Sequence, residues 1–274
     1  MKKLLRENEK SQRQTLLQII LQELGYTSIR QYQRANGLVT DGIVGLKTYQ
    51  KLYAQHLNIK DIDFEMHYFK EAYDKRQIVL HHSAGWDNAR LMFDIWKRDL
   101  AKHVATAVGV TDSGEVIRGY DEAFWAVHIG AYDIGLPNFM QLETQSIGIE
   151  ICNFGALETR NNQHFTWIND FGKRGVGTTL PADKVIELNY KGYKFYEVYT
   201  DAEIESTRRW IMLNAIRFDI PLTYNEADFW QVSPKAQRGE AGLFTHNSYV
   251  SWKTDISPQP KMIAMLSNFN QIKN

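Results

Sequence analysis

At 274 residues the chain is long enough for one large domain, or for a large and a small one. Lys+Arg and Asp+Glu both number 32, which excludes the one-signed field that draws proteins to nucleic acid or acidic membranes. A single cysteine, Cys152, excludes a disulfide framework within the chain. Its setting, Ile149-Glu150-Ile151-Cys152, reads as a buried strand thiol rather than a nucleophile.

The first ten residues, Met1 to Lys10, are charged and lack an apolar core behind the lysines, so no secretory signal peptide is expected. No window approaches the ~18 apolar residues of a membrane span. The expectation is a soluble, monomeric chain made in the cytoplasm, with no nucleic-acid partner and no integral membrane segment.

Residues 12 to 24 carry apolar side chains at 16, 17, 20, 21 and 24, a helical spacing, with Gly25 as its stop. A second helix is predicted from Ser28 to Ala35, with Ile29 and Tyr32 inward. Asn36-Gly37-Leu38-Val39-Thr40-Asp41-Gly42-Ile43-Val44-Gly45 has the glycines of a turn. A third short helix, Leu46 to Leu52, follows.

The run from Ile29 to Leu38, then Asp41-Gly42-Ile43-Val44-Gly45 and Thr48, resembles the small three-helix peptidoglycan-binding domain found on many cell-wall hydrolases. The resemblance covers roughly residues 12 to 54 and implies substrate anchoring. A domain of residues 1–54 is therefore expected. A polar linker over 55–76 follows, in which His56 and His67 are expected to be solvated.

Ile78-Val79-Leu80-His81-His82-Ser83-Ala84-Gly85-Trp86 opens the larger unit, 77–274, as a short buried strand with two histidines at its end. A helix is predicted over 87–100, with Leu91, Met92, Ile95, Trp96 and Leu100 inward. Strands at 104–110 and 115–120 flank the turn Thr111-Asp112-Ser113-Gly114. Ser146 to Asn153 is another buried strand, with one acid, Glu150, inside it. Residues 154–199 read as an inserted, aromatic-rich hairpin or lid. Edge-strand packing and substrate contact both remain open for it. Its glycine run, Gly172 to Gly177, lacks the strand and the Lys-Ser/Thr pair of a phosphate loop. Thr200-Asp201-Ala202-Glu203 is a capping box opening a helix to about Phe218, and a last helix spans Pro260 to Phe269.

A hydrolytic metal site needs about three ligands from His, Cys and Asp/Glu, with a position open for water. His81, His246 and Asp255 are the candidates, all at strand ends or in loops. Amide hydrolysis further needs a general base and a cation for the oxyanion. Glu150 and Lys253 fit those needs, and a buried Glu–Lys ion pair is the structural alternative.

These motifs occur in one order: Ile78 to Ala84; Trp125-Ala126-Val127-His128-Ile129-Gly130; Ser146 to Asn153; Thr245-His246; Lys253-Thr254-Asp255. Together they resemble the zinc-dependent N-acetylmuramoyl-L-alanine amidases, the type shared by bacterial recycling amidases, phage lysozyme-amidases and peptidoglycan recognition proteins. The match covers roughly residues 77 to 269. It implies an α/β fold with a mixed central β-sheet flanked by helices. It also implies Zn2+ on His81, His246 and Asp255, catalysis by Glu150 and Lys253, and bacterial peptidoglycan as substrate. His128 is the implied substrate-lining histidine, with Trp125 and Asn153 beside it.

The chain departs from the family at three places. Thr106-Ala107 stands where a Tyr-His pair is common, so the base role falls on Glu150. Ile256-Ser257-Pro258 replaces Pro-Gly-Pro, and 154–199 is longer than in compact members. His82 points to the other face of its strand and reads either as a support behind the ligands or as structural. Non-catalytic recognition proteins on this fold lose a zinc ligand, whereas this chain keeps the set. A wall-binding hydrolase without a signal peptide suggests a phage or prophage endolysin, with a delivered toxin or an autolysin exported by another route as the alternatives.

Overall fold

The computed structural model describes residues 4–61, 68–98, 103–167 and 177–272. His67, Leu100 and the glycine run at 172–176 lie outside them.

The N-terminal unit comprises β1 (Leu5–Arg6), α1 (Gln12–Glu23), α2 (Ile29–Ala35), β2 (Ile43–Val44) and α3 (Leu46–Leu57). Ser11 and Ser28 cap α1 and α2 by accepting from the backbone N–H groups of Gln14 and Gln31. Gly25 ends α1 at φ 83°. The turn before β2 is clamped by Gln33, whose amide donates to Asp41 and to the Ile43 carbonyl and accepts from Gly42 N–H.

Part of the expected linker carries regular structure among the described residues. The third helix runs on to Leu57, and β3 (Lys60–Asp61) pairs with the edge of the main sheet. Phe69 bridges the backbone of Trp125. His56 is 3% exposed rather than solvated, because the longer α3 puts it on the same stripe as Tyr49, Leu52 and Tyr53.

The larger unit continues with β4 (Gln77–His82), α4 (Ala89–Lys97), β5 (Val108–Val110), β6 (Val116–Arg118), α5 (Phe139–Gln145) and β7 (Ser146–Ile151). Next come β8 (Ala156–Arg160), β9 (Gln163–Phe165), β10 (Val185–Tyr190) and β11 (Tyr193–Glu197). The chain ends through α6 (Asp201–Phe218), α7 (Glu226–Phe229), α8 (Pro234–Gln237), β12 (Gly242–Thr245) and α9 (Pro260–Asn268).

The central sheet is mixed, in the order β12-β4-β7-β5-β6-β3. Only β5–β6 is antiparallel. The inserted segment forms its own antiparallel sheet, β10-β11-β8-β9, rather than a single hairpin. The buried face of α4 is Ala89, Met92 and Phe93; Ile95, expected inward, is exposed.

The two faces of β4 and β7 divide the labour. Ile78, Leu80, Ile147, Ile149 and Ile151 share one core with Trp210, Ile211 and Leu213 of α6. Leu16, Leu17 and Ile20 of α1 and Leu52 and Leu57 of α3 belong to the same core. The sixth helix is thus buried on both sides, which explains why its apolar residues exceed one stripe. The opposite face carries Val79, His81, Gly148 and Glu150, and is left for the site.

A buried ionic cluster ties these layers together. Glu122 is 0% exposed and accepts from Arg118 (2.7 Å), Arg217 (3.2 Å), Trp210 (3.2 Å) and Tyr53. Removing one partner of a buried ionic group strands the others. Glu122→Ala is therefore expected to lower the unfolding free energy by about 3–5 kcal/mol in urea titration, and Glu122→Gln by less.

Glu203 closes the capping box of α6, with Thr200 N–H donating to its Oε2 at 2.6 Å. Burial pushes its carboxyl up to about 8, against those hydrogen bonds. A carboxyl raised in the folded state costs stability as pH climbs from its unfolded value through the folded one. The stability advantage of Glu203→Gln over wild type should therefore be near zero at about pH 4.5 and largest above about pH 8 in urea unfolding.

Candidate metal centre

The site lies where β4 ends. Its parallel pairing with β12 sets Thr245 opposite Leu80, so His246 and His81 leave their strands side by side. On the other flank His81 is in register with Glu150 of β7. Asp255 arrives on the following loop, whose backbone is pinned by Asn247 donating to the Asp255 and Ile256 carbonyls at 2.9 Å each.

Three donor atoms converge. His81 Nδ1 and His246 Nδ1 are 3.0 Å apart, and Asp255 Oδ2 lies 3.2 and 2.9 Å from them. All three residues are buried. A tetrahedral shell with metal–ligand bonds of about 2.0–2.1 Å has edges of about 3.3–3.4 Å, close to this triangle.

The outer hydrogen bonds dictate which nitrogens carry protons. His246 Nε2 faces the Ile129 carbonyl at 3.0 Å and must donate to it, leaving Nδ1 bare. Ser146 donates to the Leu142 carbonyl at 2.5 Å, so it accepts from His128 Nε2 at 2.8 Å. The bare His128 Nδ1 then accepts from His81 Nε2 at 3.0 Å, and His81 Nδ1 is bare as well. Burial favours these neutral rings, holding His81 down to about 4 and His128 well below the ordinary range. Two bare imidazole nitrogens and a carboxylate facing one point repel one another unless a cation sits between them. The donor set fits a divalent metal ion.

Gly148 leaves room for the relay, since a Cβ there would come within 3.0 Å of the His128 ring. Glu143 holds the loop beneath it. Its carboxylate accepts from the backbone N–H groups of His128 (2.9 Å), Ile129 (3.1 Å) and Ala131 (2.9 Å). On the opposite face His82 bonds the Tyr199 hydroxyl at 2.8 Å, and that hydroxyl accepts from Ser257 N–H at 3.3 Å, bracing the Asp255 loop.

Glu150 is buried, with no hydrogen bond to its carboxyl among the described residues. Burial, reinforced by Asp255 and opposed by Lys253, pushes it well above the usual carboxylate range. Lys253 is half-buried, and its ammonium likewise has no hydrogen-bond or ion-pair partner among the described residues. A cavity of about 440 Å³ opens beside His246, between the 127–134 loop and the 246–253 segment. Tyr132 and Trp252 stand at it, 72% and 71% exposed. The tip of the inserted sheet leans on this segment through Lys191, which donates to the Ser251 carbonyl at 2.7 Å.

The structure therefore brings His81, His246 and Asp255 together with Glu150 and Lys253 around them. Of the three expected substrate contacts, only His128 lies at this cavity. Trp125 stacks on Phe69 at 4.0 Å and lines no part of the cavity. Asn153 is buried in a turn, bonding Gly155 N–H and the Val198 carbonyl. His128 borders the cavity, but both its ring nitrogens are spent on His81 and Ser146. Glu143 and Ser146, which hold the loop and the His128 ring behind the cluster, were not singled out from the sequence. Each lies in a polar stretch with nothing local to mark it.

Comparison with known proteins bears first on the N-terminal unit. Residues 27–52 match the peptidoglycan binding domain family. The matched segment spans α2, the Gln33-clamped turn and the first half of α3. No curated protein matches the chain in sequence. Among solved structures, PlyL is similar at 14% identity and a TM-score of 0.40, over 79% of this chain and 97% of that one. N-acetylmuramoyl-L-alanine amidase LysC from Clostridium intestinale URNW is similar at 11% identity and a TM-score of 0.41, over 77% and 97%. No helix among the described residues is long and apolar enough to cross a membrane.

Proposed function

We propose that the chain is a zinc-dependent peptidoglycan amidase, cleaving the amide between the lactyl group of N-acetylmuramic acid and L-alanine of the stem peptide. The observation that carries this reading is the convergence of two bare Nδ1 atoms, each ring held from behind, with a carboxylate at the edge of an open cavity. The peptidoglycan-binding segment supplies the polymer class. Zn2+ held there would lower the pKa of a water and polarise the scissile carbonyl.

The chain's own residues do the rest. Glu150, one strand from His81, takes the proton from the attacking water as its oxygen bonds to the carbonyl carbon. Lys253 opposes the desolvation that raises the Glu150 carboxyl. Lys253 offers its ammonium to the developing oxyanion. Glu150 then delivers the proton to the leaving nitrogen as the C–N bond breaks, freeing an amino terminus and leaving a lactyl carboxylate. Tyr132 and Trp252 offer aromatic faces to the substrate at the cavity.

The reading is tested by zinc quantification and amino-terminus release on one preparation, using purified muropeptides. About one zinc per chain with new L-alanine amino termini supports it. Zinc without cleavage refutes the substrate, and tight peptidoglycan binding without zinc would make the chain a recognition protein.

A further inference from the structure

The 128–131 loop has inward and outward contacts with different destinations. Inward, the N–H groups of His128, Ile129 and Ala131 all end on the Glu143 carboxylate at 2.9, 3.1 and 2.9 Å. Such a run of converging N–H groups is an anion nest. Outward, His128 Nδ1 reaches His81 Nε2 and the Ile129 carbonyl reaches His246 Nε2, both at 3.0 Å. One short loop thus makes the back-side hydrogen bond to both imidazole ligands. Glu143 is 3% exposed and sits on α5, one turn before Ser146, which anchors the far end of the His128 ring.

We propose that Glu143 is a positioning residue for the metal centre: by closing the 128–131 loop, it sets the orientation of His81 and His246 together. This rests on the reading of His81, His246 and Asp255 as a metal site. A glutamine at 143 keeps the shape but presents an NH2 group to a nest of donors, so the loop must release at least one N–H. The loss is transmitted to two ligands at once, whereas a partner of a single ligand typically affects metal affinity 10–100-fold by itself.

The test is titration of the metal-free full chain with Zn2+ and, separately, Co2+, comparing wild type, Glu143→Gln, Glu143→Asp and Glu122→Gln. Glu143→Gln is expected to weaken Zn2+ binding by about 10–100-fold and to alter the visible bands of bound Co2+. Glu143→Asp, which keeps the charge, should fall between it and wild type. It also preserves the test if the glutamine variant does not fold. Glu122→Gln controls for general destabilisation and should keep wild-type affinity. A folded Glu143→Gln or Glu143→Asp with wild-type Zn2+ affinity and an unchanged Co2+ spectrum would overturn the proposal, leaving Glu143 as a loop lock only. A wild type that takes up neither metal would instead remove the metal reading itself.

Discussion

His246→Ala is expected to lose metal and activity in the same step. The substitution removes one of three converging donors and leaves His81 Nδ1 and the Asp255 carboxylate 3.2 Å apart with no third ligand. It also frees the Ile129 carbonyl, the hydrogen-bond partner that holds the ring. The loss of a ligand should exceed the 10–100-fold typical of an outer partner, so Zn2+ affinity should fall by more than about 10³-fold. Amide hydrolysis on muropeptides should drop below detection at micromolar zinc. A His246→Ala protein that kept stoichiometric zinc after dialysis would place the metal elsewhere.

Glu150→Gln should separate the metal from the chemistry. The side chain is isosteric and keeps the buried position opposite His81, so zinc content and KM should change little. It has no basic oxygen to take the water's proton, and general-base loss typically costs 10²–10⁴-fold in kcat. That corresponds to about 3–5 kcal/mol of transition-state stabilisation. A variant within about threefold of wild-type kcat would exclude Glu150 as the base.

How legible these features were depends on range. Ile78-Val79-Leu80 followed by two histidines is readable as a strand with a polar mouth, because the pattern is complete within seven residues. The stripe that buries His56 was equally available: Tyr49, Leu52, Tyr53 and His56 hold helical spacing once α3 is carried past Leu52. Trp125 beside His128 looked like a substrate wall, yet Phe69 covers its ring, through a bridge no local pattern encodes.

Local patterns along the chain set the alternation of strands and helices, the capped start of α6, the turn around Asp41-Gly42, and the residue types able to bind a metal. These follow from neighbours a few positions apart. The fold alone brings His81 and His246, 165 residues apart, to 3.0 Å, since that depends on the parallel register of β12 on β4. It alone decided that the N-terminal helices share a core with α6 and the sheet. It alone gave the isolated acids Glu122 and Glu143 their partners. A buried carboxylate and a solvated one look the same along the chain; what separates them is which distant N–H or guanidinium groups the fold brings within 3 Å.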